Sequence, residues 1–286
     1  MFKALMHGKL DDEFSRSPRA IEDLLTSCAL GMCDYLPASQ ALIPFLGRAT
    51  PPNGEPLARV LSGYEHAELE FWPDWRTTPH GLDRMFGAEP DVVVRLNGSG
   101  LPPLWLVVEA KLLSGKSSKP KPGPVHDQLA RYWLQLKCRA TREGAYPAGV
   151  VYVTAGTAYP HRDFNETQSE LVLHGHQPAS LYWLSWRDFV PTLTESLSGW
   201  SAGPACHRRL CEDGIRLMQD FWALDRIQIG DWPPAPMLLN LWSFRYDILW
   251  LSAPAMTQWT HTVGWKWPTI EPPRDLWQFT EGTVDE

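Results

Sequence analysis

The sequence contains no run of about 20 consecutive apolar residues, the length that an α-helix needs to cross a membrane, and so predicts no membrane-spanning segment. Acidic residues at positions 11–13 make the start of the chain unlike a secretory signal. The five cysteines are an odd number in 286 residues, which argues against a disulfide framework. Together these features favour a cytoplasmic protein without a membrane partner.

Several other chemistries lack the residues that they need. The formal net charge of −7 is not that of a protein that coats nucleic acid non-specifically, although basic residues can still cluster locally. The Gly-Lys-Ser sequence at 115–117 is not a phosphate-binding P-loop, because the motif needs glycine where Ala110 stands and the nearby prolines prevent a helix. Cys206, His207 and Cys211 do not have a usual zinc spacing. A P-loop nucleotide hydrolase and a zinc site are therefore disfavoured.

Two short apolar segments dominate the middle of the chain. Residues 92–94 and 104–108 are β-branched and aliphatic, which is typical of strands buried in a sheet. An Asn-Gly-Ser-Gly cluster between them predicts a turn and hence a β-hairpin. Such a hairpin would bring Asp91, before the first strand, close to Glu109 and Lys111 at the end of the second.

This pattern of acidic and basic residues points to metal-assisted hydrolysis. Because side chains alternate along a strand, Glu109 and Lys111 should lie on one face. Two carboxylates that converge at the edge of an apolar sheet repel each other unless a cation lies between them. Oxygen-only ligands suit Mg²⁺, and a lysine on the same face can orient the attacking water. The alternative is an exposed Glu109–Lys111 pair of little energetic value.

These residues resemble the motif of the PD-(D/E)xK nuclease superfamily, which here stands as Pro90-Asp91 and Glu109-Ala110-Lys111. Downstream, Gln128 and Tyr132 resemble the Gln-x-x-x-Tyr element of the RecB-type branch, and their spacing places them on one helix face. The resemblance implies that this element orients water or a phosphate. The alternative is an ordinary amphipathic helix whose apolar residues face the core.

The resemblance implies a Mg²⁺-dependent phosphodiesterase in which Mn²⁺ can substitute. Asp91, Glu109 and the carbonyl of Ala110 would hold the metal, and Lys111 would position the nucleophilic water. Some RecB-type nucleases also hold an iron–sulfur cluster. The closely spaced C-terminal cysteines that such a cluster needs are absent, so no cluster is predicted.

A further acidic ligand is expected on a helix ahead of the first strand, as is frequent in the superfamily. Glu22 lies in the first turns of the helix predicted for residues 17–36 and is the first choice, for direct or water-mediated binding, followed by Asp23 and Glu65. The alternative is that Glu22 only complements the positive end of the helix dipole.

Basic residues near these motifs are candidates for contact with nucleic-acid phosphates. The loop that follows Lys111 is rich in lysine, serine, glycine and proline, which predicts a flexible and locally basic segment. Solvated charges that touch nothing are the alternative interpretation. The candidates are Lys116, Lys119, Lys121, Arg76, Arg84 and Arg131.

The order of predicted elements indicates an α/β fold, and the resemblance implies a restriction-endonuclease-like αβββαβ core with a mixed central sheet. We expect an N-terminal tail at 1–16, the nuclease core at 17–197 and a Trp-rich C-terminal subdomain at 198–286. Helices are predicted at 17–36, 39–46, 57–64, 125–139, 188–197 and 215–224, strands at 67–72, 92–94, 104–108, 148–154 and 181–186, and a loop at 73–85.

The C-terminal region differs in composition, because seven tryptophans follow residue 231. Strands are predicted there at 242–246 and 248–250. One interpretation is an aromatic surface that stacks unpaired bases or binds a protein partner. The other, favoured because no dense set of lysines and arginines accompanies the rings, is a small β-rich subdomain whose rings fill its own core.

The resulting hypothesis is an endo- or exonuclease acting on DNA rather than RNA, a preference that rests on the resemblance alone. By analogy, such a chain would serve as an effector in restriction or antiviral defence, with a homodimer and a protein partner as further expectations. Two alternatives stay open. One is a non-catalytic nucleic-acid-binding or scaffold protein that retains the nuclease fold, and the other is a nucleotide hydrolase using the same carboxylates.

Overall fold

The computed structural model describes residues 18–77, 86–112, 115–116, 125–200 and 204–221. Over these ranges the protein has a mixed α/β fold with a five-stranded mixed sheet and seven α-helices. The predicted tail at 1–16 and the Trp-rich segment with its two predicted strands lie outside the described residues.

The central sheet has the strand order β1-β4-β5-β6-β7. β1, β4 and β5 are antiparallel neighbours, whereas β6 and β7 join them in parallel. β2 and β3 form a separate antiparallel pair. The strands are β1 His66–Phe71, β2 Trp75–Thr77, β3 Phe86–Ala88, β4 Val92–Asn97, β5 Leu104–Ala110, β6 Tyr146–Thr154 and β7 Leu181–Ser185.

The predicted hairpin is the β4–β5 pair, in which Val92 lies opposite Val108. All seven residues of β5 are buried, as expected for a central strand covered on both faces. Gly98 is required in the connecting turn, because a Cβ at this position would lie 2.4 Å from the carbonyl oxygen of Gly63. The turn thereby fixes the register that carries the two acidic residues to one end of the hairpin.

Seven α-helices pack around this sheet, and none in the described part of the chain is long and apolar enough to cross a membrane. Short 3₁₀ turns occupy residues 38–40 and 186–188, and a π-helical turn follows the last helix at 217–221. The helices are α1 Pro18–Cys33, α2 Leu42–Gly47, α3 Leu57–Val60, α4 Gln128–Arg142, α5 His161–Leu173, α6 Phe189–Gly199 and α7 Ala205–Arg216.

Helix α1 is buried on almost every side rather than along one stripe. Between residues 21 and 33 only Cys28 is partly exposed. The buried set includes the polar residues Glu22, Asp23, Thr26 and Ser27. Because buried polar groups need partners, these side chains form hydrogen bonds or electrostatic contacts inside the fold.

Helix α4 forms the crossover between the parallel strands β5 and β6 and packs against both. It begins one turn later than the predicted span 125–139, because Asp127 caps its N-terminus by accepting a hydrogen bond from the backbone N–H of Ala130. Gln128 is thus the first residue of the helix, directly above the end of β5.

Four elements differ from the sequence-based expectation, and two of them are β3 and α7, the latter predicted only as a helix at 215–224. The predicted loop at 73–85 contains β2, whose three residues are too few to display a strand period. Helix α5 was not predicted, because Phe164, Thr167 and Leu171 are its only buried residues and the remaining positions are mostly polar. Both elements obtain their order from packing against their neighbours rather than from their own pattern.

The predicted boundary between residues 197 and 198 falls inside α6, and α7 packs against α1 and α6. A Cβ at Gly214 of α7 would lie 2.2 Å from the sulfur of Met32, so a larger residue there would require the Met32 side chain to move. The thiol of Cys211 is buried and donates to the carbonyl of Leu193 at 3.7 Å. Residues 205–216 therefore contribute to the same core as α1.

Candidate active site

The β4–β5 hairpin brings the two motif carboxylates together at one end of the sheet. Asp91 directly precedes β4, and its Oδ2 accepts a hydrogen bond from the backbone N–H of Ala110 at 2.8 Å. This bond ties the start of β4 to the end of β5 and places Asp91 next to Glu109. Asp91 and Glu109 are far apart in the sequence, and the register of the β4–β5 hairpin brings them together.

Glu109 is 1% exposed, and its two carboxylate oxygens have different surroundings. Oε1 lies 2.5 Å from Nζ of Lys111 and accepts from Nε2 of Gln128 at 2.7 Å. Oε2 is buried and accepts no hydrogen bond. A buried carboxylate oxygen that no donor group reaches needs either a proton of its own or a bound cation.

Gln128 and Tyr132 lie on one face of α4 and hold Glu109 in place. Nε2 of Gln128 also donates to the hydroxyl of Tyr132 at 2.9 Å, and that hydroxyl donates to the carbonyl of Glu89 at 2.9 Å. The pair is therefore connected to the acidic side chain and to the chain segment before Asp91. This geometry connects Gln128 and Tyr132 to Glu109, and their expected role towards water or a phosphate stays a prediction.

Helix α1 supplies a third carboxylate. Oε1 of Glu22 accepts from the backbone N–H of Leu112 at 3.0 Å, immediately after the motif lysine. Glu65 lies at the opposite end of the sheet, because its N–H donates to the carbonyl of Asn97 at the far end of β4. Glu22 is thus brought to the site, whereas Glu65 is remote from it.

The charges of the site influence one another strongly. Burial raises the pKa of Asp91, and attraction to Lys111 offsets only part of the rise. Burial, and then repulsion from Asp91, raises the pKa of Glu109 to about 8. Burial alone would lower the pKa of Lys111, but the attraction of Glu109 and Asp91 together raises it. The carboxylate pair therefore retains a proton at neutral pH while Lys111 stays charged.

The donor set fits a hard divalent cation. No group of three or more His, Cys, Asp or Glu side chains that could hold a metal is present in the described ranges. Mg²⁺ does not require such a group, since it often takes one or two protein carboxylates and completes its shell with water and substrate oxygens. Asp91 and the unpartnered Oε2 of Glu109 supply such oxygens.

No family model matches this chain, and neither does any curated protein or solved structure. The chemical interpretation of the site therefore rests on its residues and their geometry.

The basic candidates divide into three groups. Arg76 is exposed and pairs with Asp74 at 2.9 Å. Lys116 and Arg131 point into the fold, since the Lys116 side chain is 8% exposed and Arg131 donates to the backbone carbonyls of Gly87 and Val125. Lys119, Lys121 and Arg84 lie outside the described residues.

Two features of the site were not predicted from the sequence. Tyr152 of β6 lies beside Glu109 in the parallel register and is 2% exposed. Its pKa is raised by burial first and also by Asp163 and Glu109. Asp127 could have been found, because an aspartate directly before an apolar helical pattern is a capping signal. Tyr152 could not, since strand register is needed to place it.

Proposed function

We propose that this chain is a Mg²⁺-dependent nuclease of the PD-(D/E)xK type that hydrolyses phosphodiester bonds in DNA. The observation that carries the proposal is the buried, unpartnered Oε2 of Glu109, in a site that also contains Asp91 and Lys111. Without metal, a proton held between Asp91 and Glu109 offsets the repulsion between the two carboxylates, and a bound cation would take the place of that proton.

The order of the elements supports the proposal. Helix α1, the antiparallel strands β1, β4 and β5, helix α4 and the parallel strand β6 follow the αβββαβ order of a restriction-endonuclease-like core. In this arrangement the motif residues occupy the end of the β4–β5 hairpin, under the N-terminus of α4. The fold-level analogy supports the proposal but does not by itself specify chemistry.

Asp91 and Glu109 would hold the metal, with the carbonyl of Ala110 as a further oxygen and with Glu22 acting through a water molecule. Bound Mg²⁺ would supply positive charge that favours an ionised water and offsets the charge of the phosphate. Glu109 has one oxygen fixed by Lys111 and Gln128, which leaves Oε2 as its ligand atom.

Lys111 would act as a cation rather than as a base. Its pKa is raised by the surrounding carboxylates, so the ammonium keeps its proton at neutral pH. A charged ammonium with 13% of its side chain exposed can attract a phosphate and orient a water molecule. It cannot accept a proton from that water without first losing its own.

Further expectations belong to the same proposal and rest on the superfamily analogy. They are that the enzyme acts in the cytoplasm in restriction or antiviral defence, that it forms a homodimer, and that its C-terminal region binds a protein partner. The choice between endonuclease and exonuclease is an outcome of the assay described next.

The test is cleavage of supercoiled plasmid, linear duplex, single-stranded DNA and RNA in Mg²⁺, Mn²⁺ or EDTA. Wild type is compared with Lys111→Ala and with Lys137→Ala, a matched change at an exposed lysine of α4. We expect cleavage that needs metal, survives in Lys137→Ala and falls by about 10²–10³-fold in Lys111→Ala.

Equal activity of wild type and Lys111→Ala would refute the site assignment. Metal binding without cleavage of any of the four substrates would refute the nuclease proposal and favour a binding or scaffold protein. Release of inorganic phosphate from nucleotides would instead favour a nucleotide hydrolase that uses the same carboxylates.

A further inference from the structure

Lys116 forms a buried cluster with groups from α5 and from the segment before α4. Its side chain is 8% exposed, and its ammonium forms an ion pair with Oδ2 of Asp127. It also donates to the carbonyl of Asp163 at 2.9 Å and to the hydroxyl of Thr167 at 3.4 Å. The carboxylate of Glu166 lies 3.4 Å away. A buried lysine with this many acceptors is fixed in one position rather than available to a ligand.

The acid at the centre of this cluster is the cap of α4. Oδ1 of Asp127 accepts from the N–H of Ala130 at 2.9 Å and from the hydroxyl of Thr167 at 2.8 Å. The backbone N–H of Asp127 donates to the carboxylate of Glu170, 3.0 Å from both oxygens. Helix α5 therefore fixes the first turn of α4 through side chains, and Lys116 neutralises one of the carboxylates that do so.

That first turn carries the residue that holds Glu109. Gln128 follows Asp127 directly and donates to Oε1 of Glu109 at 2.7 Å. Further back along the chain, Lys111 and Leu112 are fixed through their backbone N–H groups to Val153 and to Glu22. Lys116 thus connects the segment that follows Lys111 and Leu112 to the N-terminus of α4.

We propose that Lys116 is a positioning residue for the candidate site, which acts through Asp127 and Gln128 to hold the carboxylate of Glu109 in its orientation. A contribution to catalysis rests on the proposed nuclease function. The coupling between Lys116 and Glu109 does not, because it is made entirely of contacts within this chain.

The first measurement is amide hydrogen exchange by NMR in EDTA, which needs no activity and no metal. Wild type is compared with Lys116→Met, which keeps length but loses charge, and with Lys137→Met as the exposed control. We expect the amides of Leu112 and Ala130 to exchange about 10-fold faster in Lys116→Met and unchanged in Lys137→Met. If Lys116→Met does not fold, Lys116→Gln, which keeps a donor for the Asp163 carbonyl, replaces it.

The second measurement is Mn²⁺ affinity by calorimetry for Lys116→Met, Gln128→Ala and the double variant. Groups that orient a metal ligand typically change affinity by about 10–100-fold. We expect each single variant to weaken binding within that range and the double variant to be no weaker than Gln128→Ala, because both act on one carboxylate.

The outcomes separate this inference from the proposed function. Unchanged exchange at Leu112 and Ala130 in the folded variant overturns the positioning role, and so do strictly additive losses of Mn²⁺ affinity. Faster exchange in a protein that binds no Mn²⁺ and cleaves nothing supports the coupling while the nuclease proposal fails.

Discussion

Two buried lysine–carboxylate clusters lie at opposite ends of the segment 111–127, and they differ in one respect. At Asp127 both oxygens are in use, one with Lys116 and the other with Ala130 and Thr167. At Glu109 one oxygen contacts both Lys111 and Gln128, and the other accepts no hydrogen bond. A saturated carboxylate stabilises a fold, whereas an unsaturated one has room for a ligand.

The electrostatics follow the same division. The cluster at Asp127 also contains the carboxylates of Glu166 and Glu170, but each of them faces a donor, the ammonium of Lys116 or the backbone N–H of Asp127. The pair at Glu109 lies next to Asp91, whose repulsion contributes to a pKa of about 8 for Glu109. The carboxylates of the first cluster are each matched by donors, whereas the second cluster holds two carboxylates that repel each other.

The largest expected effect is at the saturated cluster. Asp127→Ala removes the cap of α4 and leaves the buried ammonium of Lys116 without its carboxylate, so the free energy of unfolding should fall by about 3–5 kcal/mol. Urea unfolding at pH 7 measures this change. Glu212→Ala, which removes an exposed pair with Arg208, is the control and should change stability by less than about 1 kcal/mol. Equal losses of stability in Asp127→Ala and Glu212→Ala would show that the buried cluster at Asp127 contributes no more to stability than an exposed ion pair.

The second effect is a pH dependence of stability that arises at the unsaturated site. Glu109 has a pKa of about 8 in the fold and an ordinary value of 4.5, so the folded protein holds a proton that the unfolded chain releases. Without metal, the free energy of unfolding should therefore fall as pH rises from 5 to 8, by at most about 1.4 kcal/mol per pH unit for one proton. Above the folded pKa both states are ionised and this dependence ends.

Glu109→Gln should flatten that pH dependence, because glutamine has no proton to lose and still accepts from Gln128. Thermal unfolding in EDTA at several pH values provides the comparison. A wild-type stability that stays level between pH 5 and 8, or an unaltered slope in the variant, would contradict the assignment of the proton to this pair.

A smaller effect is expected from the support of Glu109. Tyr132→Phe removes a hydroxyl that accepts from Gln128 and donates to Glu89, which should lower the free energy of unfolding by about 1–3 kcal/mol. Tyr146→Phe, at a tyrosine that is 55% exposed, is the matched control. Chemical denaturation of the two variants measures the difference, and equal stabilities would show that the hydroxyl network contributes little.

The smallest effect is expected at the surface. Arg76 is 71% exposed in its pair with Asp74, so Arg76→Ala should change stability by less than about 1 kcal/mol. If Arg76 contacts a phosphate under the proposed function, the slope of log affinity against log salt should decrease by about 1. Fluorescence anisotropy with a labelled duplex in EDTA measures the slope, with Arg208→Ala as control. An unchanged slope would remove Arg76 from the binding surface.

Local sequence patterns predicted much of the fold. The apolar runs and the turn between them gave the β4–β5 hairpin, and the strong helical periodicity gave α1 and α4 within a few residues. The weakly apolar α5 and the three-residue strand β2 were not predicted, because their order depends on packing with other elements rather than on their own sequence.

The sequence by itself determined which residues could carry chemistry, since a turn and two apolar strands suffice to bring Asp91, Glu109 and Lys111 to one end of a hairpin. Only the tertiary structure decided how each is used. Lys116 lies in a sequence typical of a solvated loop, but its side chain is buried against Asp127. Glu109 has one oxygen that accepts hydrogen bonds and one that accepts none. The physical reason is that the hydrogen-bond partners of these side chains come from elements distant in sequence. Which donors and acceptors are satisfied is therefore decided only when those elements pack together.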